Sequence, residues 1–418
     1  MNRNKLIKLA FIFSFSPGFF ALHSQNLPDD YLAEAARNNP GLKSRFNEYM
    51  AALEKIPQVG TLPDPQVTFG YFVQPVETRV GPQRLRISAS QMFPWFGTLG
   101  AKKDVATEMA RGKYEIFQEA KSRLFYDVKS TWYNLYFTQK AIGITLENID
   151  ILNTFRSLAL IKVESGLASS VDVLKVEMEI ADLENQLALL KDNFFVLQTG
   201  FNNLLNVENQ RAVIVPDSLS DSELELSHEA ILDSIVNGNH QVLQMEFMEA
   251  SYEKQEMAAK KSGKPKLMLG FDYMVVDKSS NPMADPSESG KDAVVFPMVG
   301  ISIPLYRQKY SSMAREAVLM QQSTEAGKVE KQNMLGTTFE KADKDFNDAG
   351  RRIPLYHGQL DKATKALSML QAAYETDGRN FEEVLRMERQ LLKYKLELDK
   401  AYTDKNAALA FINYLMGK

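Results

Sequence analysis

Four short stretches of the chain alternate apolar and polar side chains. Val67, Phe69, Tyr71 and Val73 alternate with Gln66, Thr68, Gly70 and Phe72. Leu85, Ile87 and Ala89 alternate with Arg84, Arg86, Ser88 and Ser90. Leu267, Leu269, Phe271, Tyr273 and Val275 form a third stripe, and Val295, Val299, Ile301 and Ile303 a fourth. A period of two with one apolar face predicts half-buried strands. At about 9–11 residues they have the length of tilted strands that cross a bilayer, though a soluble hairpin carries the same pattern. Loops are expected at 74–83 and, longer and rich in Ser, Pro and Asp, at 277–291.

The rest of the pattern is helical and long. No Pro falls within 97–164, and the equivalent stretch of the second half holds Pro354 alone. Continuous helix of that length would reach about 100 Å, beyond the width of a compact domain. The chain then returns on a heptad stripe: Val173, Val176, Ile180, Leu183, Leu187, Leu190, Phe194, Leu197, Phe201 and Leu204. The same stripe recurs as Val384, Met387, Leu391, Tyr394, Leu398, Ala401, Lys405, Ala408, Ile412 and Leu415. Steps alternating three and four predict coiled-coil packing of long helices.

One unit is thus written twice. Pro65-Gln66-Val67-Thr68-Phe69-Gly70-Tyr71 returns as Pro265-Lys266-Leu267-Met268-Leu269-Gly270-Phe271, and Asn39-Pro40-Gly41-Leu42 loosely as Asn239-His240-Gln241-Val242. Phe93-Pro94-Trp95 matches Ile303-Pro304-Leu305, and Asp172 to Glu177 matches Glu383 to Glu388. The spacing between copies grows inside the second loop, where insertions are tolerated. Residues 25–206 and 228–418 are read as the two repeats, joined by a linker at 207–227 with Pro216 and an acidic run.

Residues 1–24 read as a secretory signal. Arg3, Lys5 and Lys8 precede a short apolar run, and small Ser24 marks the cut. An amphipathic first helix is the competing reading. Cleavage removes three positive charges and takes the net charge from −4 to −7. No other segment approaches the about 18 apolar residues of a membrane helix, so an exported chain is soluble or spans by β-strands.

Composition narrows the chemistry. There is no basic excess, so no nucleic-acid partner is expected. The absence of Cys removes disulfides, thiolate metal sites, a Cys nucleophile and lipid attachment at an N-terminal Cys. The four His, at 23, 228, 240 and 357, lack metal-ligand spacing, and the 18 Met are scattered, as packing residues are. With no His/Ser/Asp set or phosphate loop, neither an enzyme nor a bound metal or cofactor is expected.

Four strands cannot close a barrel when the smallest single-chain barrels use about eight, and open edges invite aggregation. Three copies supply twelve strands and twelve rods around a shared lumen. The expected fold class is α+β: a trimeric, 12-stranded outer-membrane β-barrel, four strands per chain, continued by a long periplasmic α-helical coiled-coil barrel.

The layout resembles the TolC-like outer-membrane efflux protein family over essentially the whole mature chain. The resemblance is carried by Asn39-Pro40-x-Leu42, by Pro94-Trp95-Phe96-Gly97 at the strand-to-helix elbow, and by Val163-Glu164-Ser165-Gly166-Leu167 with Asp172-Val173-Leu174 at the first helical turn. Tyr374-Glu375-Thr376-Asp377-Gly378 with Phe381 and Glu383-Val384-Leu385 completes it at the second. It implies an outer-membrane homotrimer embedded in lipid, docked to a periplasmic adaptor and through it to an inner-membrane pump. Such a channel is a passive conduit for metal ions or drugs. It also implies that Val163, Gly166, Ser169, Ser170, Gly378 and Phe381 form the adaptor-docking tips. A periplasmic gate is implied in which Asp172 is latched by Tyr374 and Arg379, with Glu383 in an acidic ring. Arg386, where the family has a second acidic ring, departs from that pattern, and Glu383 and Arg386 are spaced to pair with each other. Plain solvated tip charges are the alternative to the latch. Gly166 and Gly378 also suit turns that need a positive φ. Phe93, Trp95 and Phe96 suit either an interfacial aromatic girdle or packing at the junction. Two other functions share these features: an outer-membrane channel for protein secretion, and a soluble periplasmic coiled-coil adaptor. The second leaves the paired strands unexplained.

Overall fold

The structure, a computed structural model, describes residues 29–281, 283, 285–377 and 381–418. The expected signal at 1–24, Gly378 and Arg379 lie outside the described residues. The first repeat runs α1 (Asp29–Asn38), α2 (Pro40–Gly60), β1 (Gln66–Thr78), β2 (Gly81–Phe93), α3 (Thr98–Glu164) and α4 (Ser170–Leu205). The second runs α5 (His228–Gly238), α6 (His240–Ser262), β3 (Lys266–Val276), β4 (Ala293–Ser302), α7 (Arg307–Asp377) and α8 (Phe381–Leu415). The same order therefore occurs twice. α3 has 67 residues and α7 has 71, so each rod is about 100 Å long. Among the described residues no helix is long and apolar enough to cross a membrane.

Each opening helix is split by an asparagine at the same place in the repeat. Asn39 caps α2, its Oδ1 accepting from the Leu42 N–H at 3.0 Å, while its amide donates to the Leu204 carbonyl at 2.9 Å. Asn239 caps α6, accepting from the Gln241 N–H at 2.9 Å and donating to the Leu415 carbonyl at 2.8 Å. One side chain thus starts a helix and ties down the end of the return helix, satisfying orphan groups at both termini.

The strands form one antiparallel sheet in the order β1-β2-β3-β4. The first expected loop is much shorter than 74–83. β1 runs to Thr78 and β2 starts at Gly81, with the Thr78 hydroxyl bonding the Gly81 carbonyl at 2.6 Å across the turn. Pro75 sits where the β1–β2 register slips, between Tyr71 and Val76, on an edge strand. A missing N–H is tolerated at such a place. The fourth stripe is also corrected. A register shift puts Val295 opposite Asp272 on the polar face and Val294 opposite Tyr273 on the apolar one, and Ile303 falls beyond β4.

Three apolar clusters run along the rods. One holds Tyr31, Trp132, Leu135, Phe201 and Leu205 of the first repeat, and a second holds Ile231, Ile235, Phe339, Ile412 and Leu415 of the second. The third, toward the helical tips, mixes both repeats: Leu152, Phe155, Val176 and Leu183 pack with Leu367, Tyr374, Val384 and Leu391. The heptad stripes supply much of this core. Its charged member, Lys405, is buried, pairs with Asp221 of the segment at 207–227 and lies 5.3 Å over the Phe346 ring. That segment is tied to both repeats: Trp132 Nε1 donates to the Ile214 carbonyl at 3.0 Å, and Asn406 donates to the Ser220 carbonyl at 3.1 Å.

Candidate functional site

The first tip is built by local turn chemistry. α3 ends in a Schellman motif: Leu167 N–H bonds the Lys162 carbonyl at 2.8 Å and Gly166 N–H bonds the Val163 carbonyl at 3.0 Å. Gly166 has φ +71°, which a side chain would strain. Ser169 caps α4, its hydroxyl accepting from Val171 N–H at 3.2 Å. Asp172 lies in the first turn, where the helix dipole favours a carboxylate. Val163 is half-buried, while Gly166, Ser169 and Ser170 are exposed.

The second tip is more buried. Tyr374 and Phe381 are 1% and 3% exposed, with ring centroids 4.8 Å apart. Lys162, which the sequence reading did not single out, is buried against them. Its Nζ donates to the Glu375 carbonyl at 2.9 Å and stands 5.4 Å over the Tyr374 ring. No local pattern marks it, because its partners lie more than 200 residues away.

Of the expected gate residues, Asp172 and Tyr374 come into electrostatic range of each other. Burial pushes the Tyr374 hydroxyl upward, and the Asp172 charge adds to that. The hydroxyl has no hydrogen-bond partner among the described residues. Glu383 pairs with Arg386 one turn along α8. Its neighbour Glu382 reaches across the repeats to Lys175 at 2.6 Å, a contact that holds the Glu382 carboxyl below its ordinary range.

At the other end of the rods the sheet has two chemically distinct faces. Cross-strand rows Val67/Ala89/Phe271, Phe69/Ile87/Tyr273 and Tyr71/Leu85/Val275 share one face. On β1 that face is open: Phe69 is 70% and Tyr71 68% exposed. The opposite face carries Ser88, Arg86 and Asp272, with Arg86 paired to buried Asp272. Arg84 pairs with Asp277 at 2.5 Å. Below the stripe, Trp95 and Phe96 are exposed and join Phe93, Leu267 and Ile301 around an apolar groove of about 460 Å³. The elbow there rests on Gly97, which adopts φ +74° before α3.

A four-stranded sheet standing on pairs of 100 Å rods is the TolC-like fold. No family model matches the chain, and no curated protein matches it in sequence. Solved structures do. CusC, whose structures describe folding and transmembrane channel formation, is 15% identical with a TM-score of 0.76, covering 93% of this chain and 91% of its own. The outer membrane protein VceC of Vibrio cholerae is 14% identical, TM-score 0.75, covering 93% and 95%. The open-state outer membrane channel MtrE of Neisseria gonorrhoeae is 13% identical, TM-score 0.74, covering 93% and 88%. At these identities the likeness establishes the fold.

Proposed function

We propose that the chain, after export and removal of residues 1–24, is the outer-membrane channel subunit of a tripartite efflux system. It would act as a passive conduit for cargo handed over by an inner-membrane pump through a periplasmic adaptor. The observation that carries this reading is the sheet. It exposes an apolar stripe along one face, lines the other with polar groups, and leaves β1 and β4 as open edges. In water that arrangement would aggregate. In a bilayer it is a third of a barrel whose edges are closed by β4 of one copy meeting β1 of the next, a head-to-tail contact that closes as a ring. Likeness to outer-membrane channels over 93% of the chain supports the same reading.

Asp172, Tyr374 and Arg379 are proposed to latch the periplasmic tip shut, with Glu383 at the constriction of the same gate. Val163, Gly166, Ser169, Ser170, Gly378 and Phe381 are proposed as the docking region. The energy needed is modest, so docking can shift the tip between states.

Three measurements test this. The membrane-bound protein should resist high salt and require detergent, and purified material should conduct in planar bilayers. Asp172→Asn or Arg379→Gln should raise the conductance; unchanged conductance in both removes the latch and leaves the channel. The chain has no Cys, so a single Cys at Gly166 gives clean crosslinks to the adaptor. A water-soluble monomer without conductance would refute the function.

A further inference from the structure

The junction between sheet and rods carries a cluster of positive charge that the channel reading does not explain. Lys102, Lys261, Lys264, Lys266 and Lys309 line one pocket of about 570 Å³, with Asp64 the single carboxylate among its lining residues. None of these five lysines has a carboxylate within 4 Å among the described residues, although neighbouring Lys260 is paired with Glu256 at 2.6 Å. Lys261 donates to the Gly97 carbonyl at 3.3 Å, and Lys309 stands 5.9 Å over the Tyr310 ring. Both contacts orient an ammonium without neutralising it. The five come from α3, the end of α6, the connection that follows it, the start of β3 and the start of α7, so the fold assembles them.

Strand alternation fixes which way the pocket opens. Met92 and Lys266 line it, and each alternates with a residue of the apolar stripe, Phe93 and Leu267. The pocket therefore lies on the polar face of the sheet, the lumen side in the proposed channel. Charges within a Debye length, about 8 Å, act on one another with little screening, and a cleft lined by one sign of charge concentrates counter-ions. Met92, Met268 and Met298 lie on the same face. Thioethers suit a soft metal cation, but the lysines set the local field against one.

We propose that this lysine collar is a binding site for multivalent, phosphate- or carboxylate-bearing anions in the lumen, and that the channel passes anionic cargo in preference to free metal cations. The proposal deepens the channel reading and rests on it for the word lumen. The volume is that of a small-molecule site.

The probe is inorganic tripolyphosphate, measured twice on the detergent-purified full protein. In calorimetry it should bind the wild type, and the triple variant Lys264→Gln/Lys266→Gln/Lys309→Gln should bind about tenfold or more weakly, with affinity falling as KCl rises. Lys362→Gln, far along α7, should bind as the wild type does. In planar bilayers tripolyphosphate should block the wild-type channel and not the triple variant, whose reversal potential in a KCl gradient should move toward cations. Equal binding by wild type and triple variant overturns the collar, and so does an open channel that tripolyphosphate leaves unblocked. Loss of tripolyphosphate binding in phosphatidylglycerol nanodiscs, compared with phosphatidylcholine ones, would assign the site to a lipid headgroup and overturn the lumenal assignment. Binding that is lost in the triple variant, in a protein that never conducts, would refute the channel and leave the anion site standing.

Discussion

Replacing the capping asparagines tests the packing argument most directly, because the two repeats offer one side chain in two environments. Asn239 is 3% exposed, and its amide serves the carbonyl of Leu415, itself 2% exposed. Removing the side chain costs a helix cap, about 1 kcal/mol, and strands a buried carbonyl, about 1–3 kcal/mol. Asn239→Ala should therefore lose about 2–4 kcal/mol. Asn39 likewise caps one helix and holds the carbonyl of a return helix but is half-buried, so water can reach the orphaned groups, and Asn39→Ala should lose about 1–2 kcal/mol. Asn239→Ser keeps a cap and loses the second bond, so it should fall between wild type and Asn239→Ala. The assay is the thermal midpoint of the helical circular dichroism signal at one detergent concentration. The expected order, from most to least stable, is wild type, Asn239→Ser, Asn239→Ala, with Asn39→Ala above Asn239→Ala. A midpoint for Asn239→Ala no lower than that of Asn39→Ala would refute the claim that burial sets the cost.

The remaining expectations concern other parts of the molecule. Phe69→Arg on the apolar face should cost about 2–4 kcal/mol of barrel stability, whereas Thr68→Arg on the opposite face should cost far less; heat-modifiable mobility on gels reads both. Burial raises the Glu388 carboxyl above its usual 4.5, and its Oε2 has no partner among the described residues. The fold therefore disfavours the carboxylate, and wild-type stability should rise as pH falls through the raised value toward 4.5. Glu388→Gln should be the more stable protein at pH 7, with the gap closing on acidification in denaturant titrations. Asp221→Asn leaves Lys405 buried without its countercharge and should cost about 1–2 kcal/mol, discounted because Asp221 is half exposed. Lys405→Met, which removes the buried charge itself, should cost less in the same titration. Tyr374→Phe should stay within about 1 kcal/mol of wild type, since its hydroxyl has no partner among the described residues, whereas Tyr374→Ala should lose about 3–5 kcal/mol; thermal melts separate the two.

What the sequence revealed was whatever repeats along it. Alternation marked the strands, the three-four spacing marked the return helices, and matched segments such as Asp172 to Glu177 and Glu383 to Glu388 marked the duplication, because each is periodic in the chain. The ends of the strands were hidden. Gln74-Pro75 reads as a breaker, but on an edge strand at a register slip the proline costs no ladder bond. Contacts between distant residues were hidden altogether. Nothing near Lys162 announces Glu375, and nothing near Lys405 announces Asp221. The lysine collar was hidden for the same reason, since its members are spread from position 102 to 309 and meet only at the junction. Among the tip residues, Gly166 was legible as turn chemistry, while the capping bond of Ser169 and the burial of Tyr374 and Phe381 appear only in the fold.

That packing makes the two tips unequal despite their common origin. Position for position, Val163 of the first repeat corresponds to Tyr374 of the second, and Ser170 to Phe381, at the spacing that relates the two return helices. The second repeat places aromatic rings in the shared core, clamped by Lys162 from the first. At the corresponding positions the first repeat has the half-buried Val163 and the exposed Ser170, and it leaves Leu167, Val171, Leu174 and Met178 each more than half exposed. A contiguous exposed apolar patch is a feature of interaction surfaces, whereas rings already buried offer none. The duplicated unit thus has two different tips, one with its aromatic rings packed inside the chain and one with apolar side chains exposed at its edge. A symmetric latch built from the equivalent charges Asp172 and Glu383 would ask two dissimilar environments to do the same thing. The pairing of Glu383 with Arg386 on its own helix, against Asp172 facing the buried Tyr374, is what such unequal tips require.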